Sequence, residues 1–104
     1  MNYGKNVKSN FWLTIITFKK ISKDLLKKLK NYLEKDKIEI RQVWRPNHLQ
    51  KFLNTYEKFR LKDSVNIYNK SICLPSSINL SKKDISFISK KIKNFYLKKL
   101  KRQK

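Results

Sequence analysis

The residues best equipped for chemistry crowd into one short run, Ile40-Arg-Gln-Val-Trp-Arg-Pro-Asn-His48. The Arg41 guanidinium is a planar fork that can hold a carboxylate or phosphate through paired hydrogen bonds. Trp44 offers an indole wall, and His48 an imidazole able to change charge near neutral pH. Each also has a plainer reading. Arg41 can be a strand arginine in solvent, Trp44 a core or interface anchor, and His48 a loop histidine bonded to backbone.

A self-sufficient catalytic set is missing around them. His48 is the one histidine and Cys73 the one cysteine, so these types alone cannot form a metal cluster. Cys73 falls between Ile72 and Leu74, where a buried small hydrophobe is expected rather than a nucleophile. The seven acids (24, 34, 36, 39, 57, 63 and 84) are dispersed, mostly on helix faces or caps. Gly4 is the only glycine, which excludes a glycine-rich phosphate loop, and no serine lies in a nucleophile-elbow pattern. No residue is assigned a catalytic role and none a metal.

Local pattern defines the elements that must position these groups. Residues 11–18, Phe-Trp-Leu-Thr-Ile-Ile-Thr-Phe, are β-branched and aromatic on both alternating faces, as in a strand covered on both sides. Ser22 offers an N-cap to a helix through about Lys35, with Leu25, Leu26, Leu29, Tyr32 and Leu33 at helical spacing. Ile38 to Trp44 reads as a second strand, ended by Pro46. A helical turn near Leu49–Leu53, a short helix capped by Asp63 and a third strand at 71–74, ended by Pro75, follow. Pro75 and Ser76 are turn chemistry. Ser81-Lys-Lys-Asp84 resembles a capping box, opening a helix whose stripe is Ile85, Ile88, Ile92, Phe95 and Tyr96. The expected fold class is α+β, a small antiparallel or mixed sheet of about three strands covered by two main helices.

Length allows one modest domain, assigned to residues 1–97, with a basic tail at 98–104. The formal net charge of +20 points first to polyanions. Yet 23 of the 27 cations are Lys, spread along both helices and the loops. With 11 Ile, 10 Asn and no Ala, they suit drift in an A/T-rich coding sequence better than a binding footprint, which favours Arg forks. The N-terminus carries no apolar signal region and no run is long enough to span a membrane, so the expected location is cytoplasmic with no membrane partner.

The order of several short motifs adds what the inventory lacks. Ser9-Asn10-x-Trp12-Leu13, a helix, Arg41-x-x-Trp44-x-Pro46-x-His48, then Leu74-Pro75-Ser76-Ser77 and Leu80-Ser81 before a last helix run through residues 8–96. This arrangement resembles the C-terminal small domain of the DegT/DnrJ sugar aminotransferases. Within them it is most similar to enzymes that aminate UDP-linked 4-keto-hexoses of nonulosonic acid pathways. Asn47, Gln50 and Lys51 depart from the family pattern, and 51–62 matches poorly.

The resemblance implies a fold-type-I transaminase in which pyridoxal phosphate forms an imine with a lysine of a large domain. That cofactor carries an amino group from glutamate to a keto sugar nucleotide, in surface polysaccharide biosynthesis. The cofactor lysine, its pyridine-nitrogen carboxylate and the phosphate-binding residues are then expected before residue 1. The chain is accordingly expected to be a truncated or split piece, inactive alone, with a large domain or a second subunit as partner. Arg41, Trp44 and His48 are the implied substrate-binding residues, with Asn10 and Trp12 bordering the cleft at the domain hinge. For the last two the bland alternatives are a turn residue and a buried strand aromatic.

Two further readings stand beside this one. A small nucleic-acid-associated protein would make salt-sensitive, nonspecific contacts through Lys98-Lys-Leu-Lys-Arg-Gln-Lys104. A structural or partner-binding domain would pair its former domain interface with another chain.

Overall fold

In the computed structural model, which describes residues 5–101, eight short elements alternate along the chain. They are β1 (Thr14–Thr17), α1 (Lys23–Glu34), β2 (Arg41–Gln42), two 3-10 turns (Asn47–Leu49 and Lys51–Leu53), α2 (Lys62–Lys70), β3 (Ser71–Leu74) and α3 (Lys82–Lys101). The fold is α+β, as expected.

The latest strand in sequence is the middle one in space. β3 pairs antiparallel with both β1 and β2, giving the order β1-β3-β2. Register sets Ile16 against Ile72 and Thr14 against Leu74, and opposed residues of an antiparallel pair share a face. That face meets the helices. Phe18, Ile40 and Ile72 join Leu25, Leu26, Leu29 and Leu33 of α1 and Ile88, Ile92 and Phe95 of α3 in one core. Leu29 and Leu33 are fully buried.

The helices begin where their caps dictate. Ser22 Oγ accepts the Leu25 amide at 3.1 Å, so one orphan donor of α1 is satisfied. At α3, Ser81 N–H donates to Asp84 Oδ2 at 2.9 Å and the Asp84 amide donates to Ser81 Oγ at 3.2 Å. This is a reciprocal box with the shorter carboxylate.

Several expectations need correction. The 11–18 strand contracts to four residues, and its outer face is open, with Ile15 46% exposed. The 38–44 strand contracts to Arg41–Gln42 on the sheet edge, although Ile38 and Ile40 remain buried. The N-cap of α2 is Leu61 rather than Asp63, which lies in the first turn, and Ser64 Oγ returns to Leu61 O at 2.8 Å. Ile85 leaves the core stripe and lines an open groove beside Leu74 and Pro75. Apart from these corrections, α3 spans Lys82–Lys101, and residues 102–104 lie outside the described ones.

Candidate functional site

The antiparallel register by itself separates the two tryptophans. Continued regularly, β1 would set Trp12 opposite Ser76 and β2 would set Trp44 opposite Lys70, at the two ends of β3. Six residues of strand separate those positions, about 20 Å. Their rings nevertheless meet at 5.6 Å between centroids, tilted by 48°. Both flanking segments therefore leave the sheet and converge.

Local chemistry explains the turn before β1. Asn10 Oδ1 accepts the Trp12 amide and Ser9 Oγ the Phe11 amide, each at 3.1 Å. Between them Phe11 adopts φ 51°, a left-handed value that a bulky residue takes only when neighbouring bonds hold it there. Asn10 is thus a turn residue that orients Trp12. Trp12 is no buried strand aromatic and Trp44 no core anchor, since each is 66% exposed. A tilted aromatic pair left in solvent offers apolar area to something else.

Arg41 stands opposite Cys73, which stands opposite Ile15, so the three form one row on the sheet face away from the core. The Arg41 Nε donates to Glu39 Oε1 at 2.9 Å, both side chains being mostly exposed. An anion binding here meets the terminal guanidinium nitrogens or displaces Glu39. His48 is half-buried on the first 3-10 turn and belongs neither to the tryptophan pair nor to the linings of the clefts described here. Of the five sequence-predicted residues, the structure brings together Asn10, Trp12 and Trp44.

A cleft of about 560 Å³ runs from the end of β3 to α3 and is lined in part by Arg41, Cys73, Asp36, Ser77, Asp84 and Phe87. Its carboxylates already have work. Lys91 Nζ donates to both Asp36 oxygens at 2.9 and 2.8 Å, and Asp84 caps α3. Hydrogen bonds from Ser81, first from its side chain and then from its backbone, hold the Asp84 carboxyl below its ordinary range. Burial pushes the Cys73 thiol up, which keeps it protonated and unsuited to attack. Among the described residues no group of three His, Cys, Asp or Glu side chains could hold a metal ion. No described helix is long and apolar enough to cross a membrane.

A pyridoxal phosphate site needs a lysine that spends time neutral, a carboxylate for the pyridine nitrogen and a cradle for the phosphate. The described residues alone do not fit it. Lys91 is the lysine nearest a cleft carboxylate, and its hydrogen bond to Asp36 raises its pKa, opposite to what imine formation requires. Of the other two acids lining that cleft, Asp84 is fixed at a helix cap and Glu39 accepts a hydrogen bond from Arg41 Nε.

Sequence comparison supplies the missing context. No curated protein and no solved structure matches the chain. A family model does match, across residues 1–93, and the turn at Asn10, both tryptophans, Arg41 and His48 all lie inside the matched span. By that match the chain belongs to the DegT/DnrJ/EryC1/StrS aminotransferase family.

Proposed function

We propose that these residues form the small domain of a pyridoxal-phosphate-dependent transaminase acting on a nucleotide-linked keto sugar, with glutamate as amino donor. A UDP-linked 4-keto-hexose of surface polysaccharide biosynthesis is the substrate class that the motif order favours. The cofactor, when bound by the large domain, supplies the electron sink for amino transfer. That domain is carried on the same polypeptide or on a separate one.

The observation that carries this reading is the exposed Trp12–Trp44 pair, within a span that matches an aminotransferase family. Two strand ends converge to build a surface that the domain itself leaves uncovered. On this reading the pair walls the substrate cleft against the large domain. Arg41 gives the fork for a substrate carboxylate or phosphate, His48 a further polar contact, and Asn10 fixes the turn beneath Trp12.

The test is a cofactor-trapping experiment. The purified 104-residue chain is mixed with pyridoxal phosphate and reduced with borohydride, alone and together with a large domain from a family transaminase. Alone, it is expected to give no saturable label at a single lysine. With the large domain present, complex formation and keto-sugar amination are expected. A stoichiometric imine on one lysine of the isolated chain would overturn the assignment of cofactor chemistry to another domain.

A further inference from the structure

The two edges of the sheet are unequal. One is β2, only two residues long, one of them Arg41. The other is β1, whose outward side has no strand beside it among the described residues. The Phe18 N–H donates to Lys70 O at 2.9 Å, which fixes the phase of the β1–β3 ladder. Ladder bonds alternate along an antiparallel strand, so Thr14, Ile16 and Phe18 turn their backbone groups toward β3. Leu13, Ile15 and Thr17 then turn theirs outward. Among the described residues no partner meets those N–H groups.

This edge also lacks the usual guards. Exposed edge strands are normally blunted by lysine, proline or a bulge. Charged residues make up 33% of the chain, yet residues 11–18 hold no charge and no proline. β1 also follows β3 without a bulge. Ile15 is 46% exposed on the outer face, and Thr14 and Thr17 are exposed as well. An uncharged, β-branched edge in so basic a chain suits a strand that is itself uncharged and β-branched.

We propose that β1 pairs antiparallel with β1 of a second copy of this chain, doubling the three-stranded sheet across a two-fold axis. Opposed residues of an antiparallel pair share a face, so that axis must pass beside a residue rather than between two. Centring it on Ile15 uses all three outward-facing residues. Ile15 then opposes its own symmetry mate, and Leu13 opposes Thr17 in both directions, each pair exchanging both hydrogen bonds. Centring on Ile16 would instead set Leu13 against Lys19, beyond the strand. The Ile15 centre also brings the two part-exposed isoleucines together on the outer face. Lys19 and Lys20 remain at the ends of the paired segment, where physiological salt screens them. Self-pairing of this cationic chain therefore strengthens with salt, whereas polyanion binding weakens.

The full chain is followed by sedimentation equilibrium from micromolar to millimolar concentration, with amide hydrogen exchange in parallel. A weak dimer that tightens with salt is expected. Protection of the Ile15 and Thr17 amides should grow with concentration, while that of Ile16 and Phe18 stays constant. Ile15→Lys sets like charges against each other and should weaken the dimer about tenfold or more. Ile78→Lys, at a position 99% exposed, should weaken it less than about twofold. Ile15→Cys should cross-link to its own mate under mild oxidation faster than Ile78→Cys. Both cysteine variants carry Cys73→Ala, because Cys73 stands opposite Ile15 and would capture it within one chain. A monomer throughout the range, a dimer that weakens with salt, or a dimer whose Ile15 and Thr17 amides stay unprotected would overturn the proposal. So would equal losses in the two lysine variants, or equal cross-linking. Melting curves check the fold of each variant, and amide exchange on the unmodified chain decides the matter if one fails to fold. Each of these failures leaves the transaminase reading untouched, because the β1 edge does not enter it.

Discussion

Lys91 on α3 clamps Asp36, just past the C-terminal end of α1, through both carboxylate oxygens at 2.9 and 2.8 Å. The same ammonium lies 5.6 Å from the Tyr32 ring centroid and 5.3 Å from that of Phe87. One charge thus ties the two core helices together at a half-buried position, where the pair is less screened than a surface ion pair. Lys91→Met should lower the melting temperature by several degrees. Lys91→Met combined with Asp36→Asn should be less damaging than the sum of the single changes, because an orphaned carboxylate is the costly state.

The pH dependence of that clamp has a defined sign. The folded-state pKa of Lys91 is raised from 10.5, chiefly by its hydrogen bond to Asp36. Its stabilisation is therefore complete below 10.5 and is lost as pH rises through the higher folded value. Stability gaps between wild type and Lys91→Met, measured by urea unfolding, should stay constant across neutral pH and close in strong alkali. A gap that widened there would contradict the assignment.

Asp84 behaves in the opposite direction. Its pKa is lowered from 3.8 by the Ser81 side chain and then the Ser81 backbone, so its contribution is present above 3.8 and disappears as pH falls through the lower folded value. Asp84→Asn should destabilise α3 at neutral pH and match the wild type in strong acid. Far-ultraviolet dichroism during acid titration reads this. Ser81→Ala should remove the larger share of that acid-sensitive part, since it takes away the largest cause of the shift and leaves the backbone N–H bond.

Leu29 has no exposed surface and stands among the α1, β3 and α3 core residues. Leu29→Ala should cost about 2–5 kcal/mol, a large fraction of the stability of a domain this small. The urea midpoint is expected to fall accordingly. A change under about 1 kcal/mol would mean that the core collapses around the cavity far better than its packing implies.

The tryptophans should respond differently. Each is 66% exposed and gains mainly from the other ring, so Trp12→Ala or Trp44→Ala should cost about 1 kcal/mol or less in the isolated chain. On the proposed reading each weakens association with the large domain by much more. Denaturant unfolding and a binding titration on the same variants separate the two effects. Large folding losses with unchanged association would make the pair a structural contact only.

The helices were legible because their signals are local. Ser22 before the leucine stripe, and Ser81 three residues before Asp84, predict starts that the hydrogen bonds match. Pro75 marks the end of β3 for the same reason, since it has no N–H for the ladder. Strand lengths were harder. Val43 and Trp44 have the composition of a strand, but β2 is an edge with a single neighbour, and the chain turns away after Gln42. Ile85 carries the helical period yet overhangs an open groove, because periodicity names a face without saying how far the opposing surface extends.

By itself the chain's order of motifs determined the family, and its caps and apolar spacing determined α1, β3 and α3. Only the tertiary structure decided which distant groups meet. Trp12 finds Trp44, and Lys91 finds Asp36. Hydrogen-bonded caps and side-chain periods act within a few residues. Contacts across 32 or 55 positions depend on strand register and on the direction taken by each departing loop, which no local spacing records.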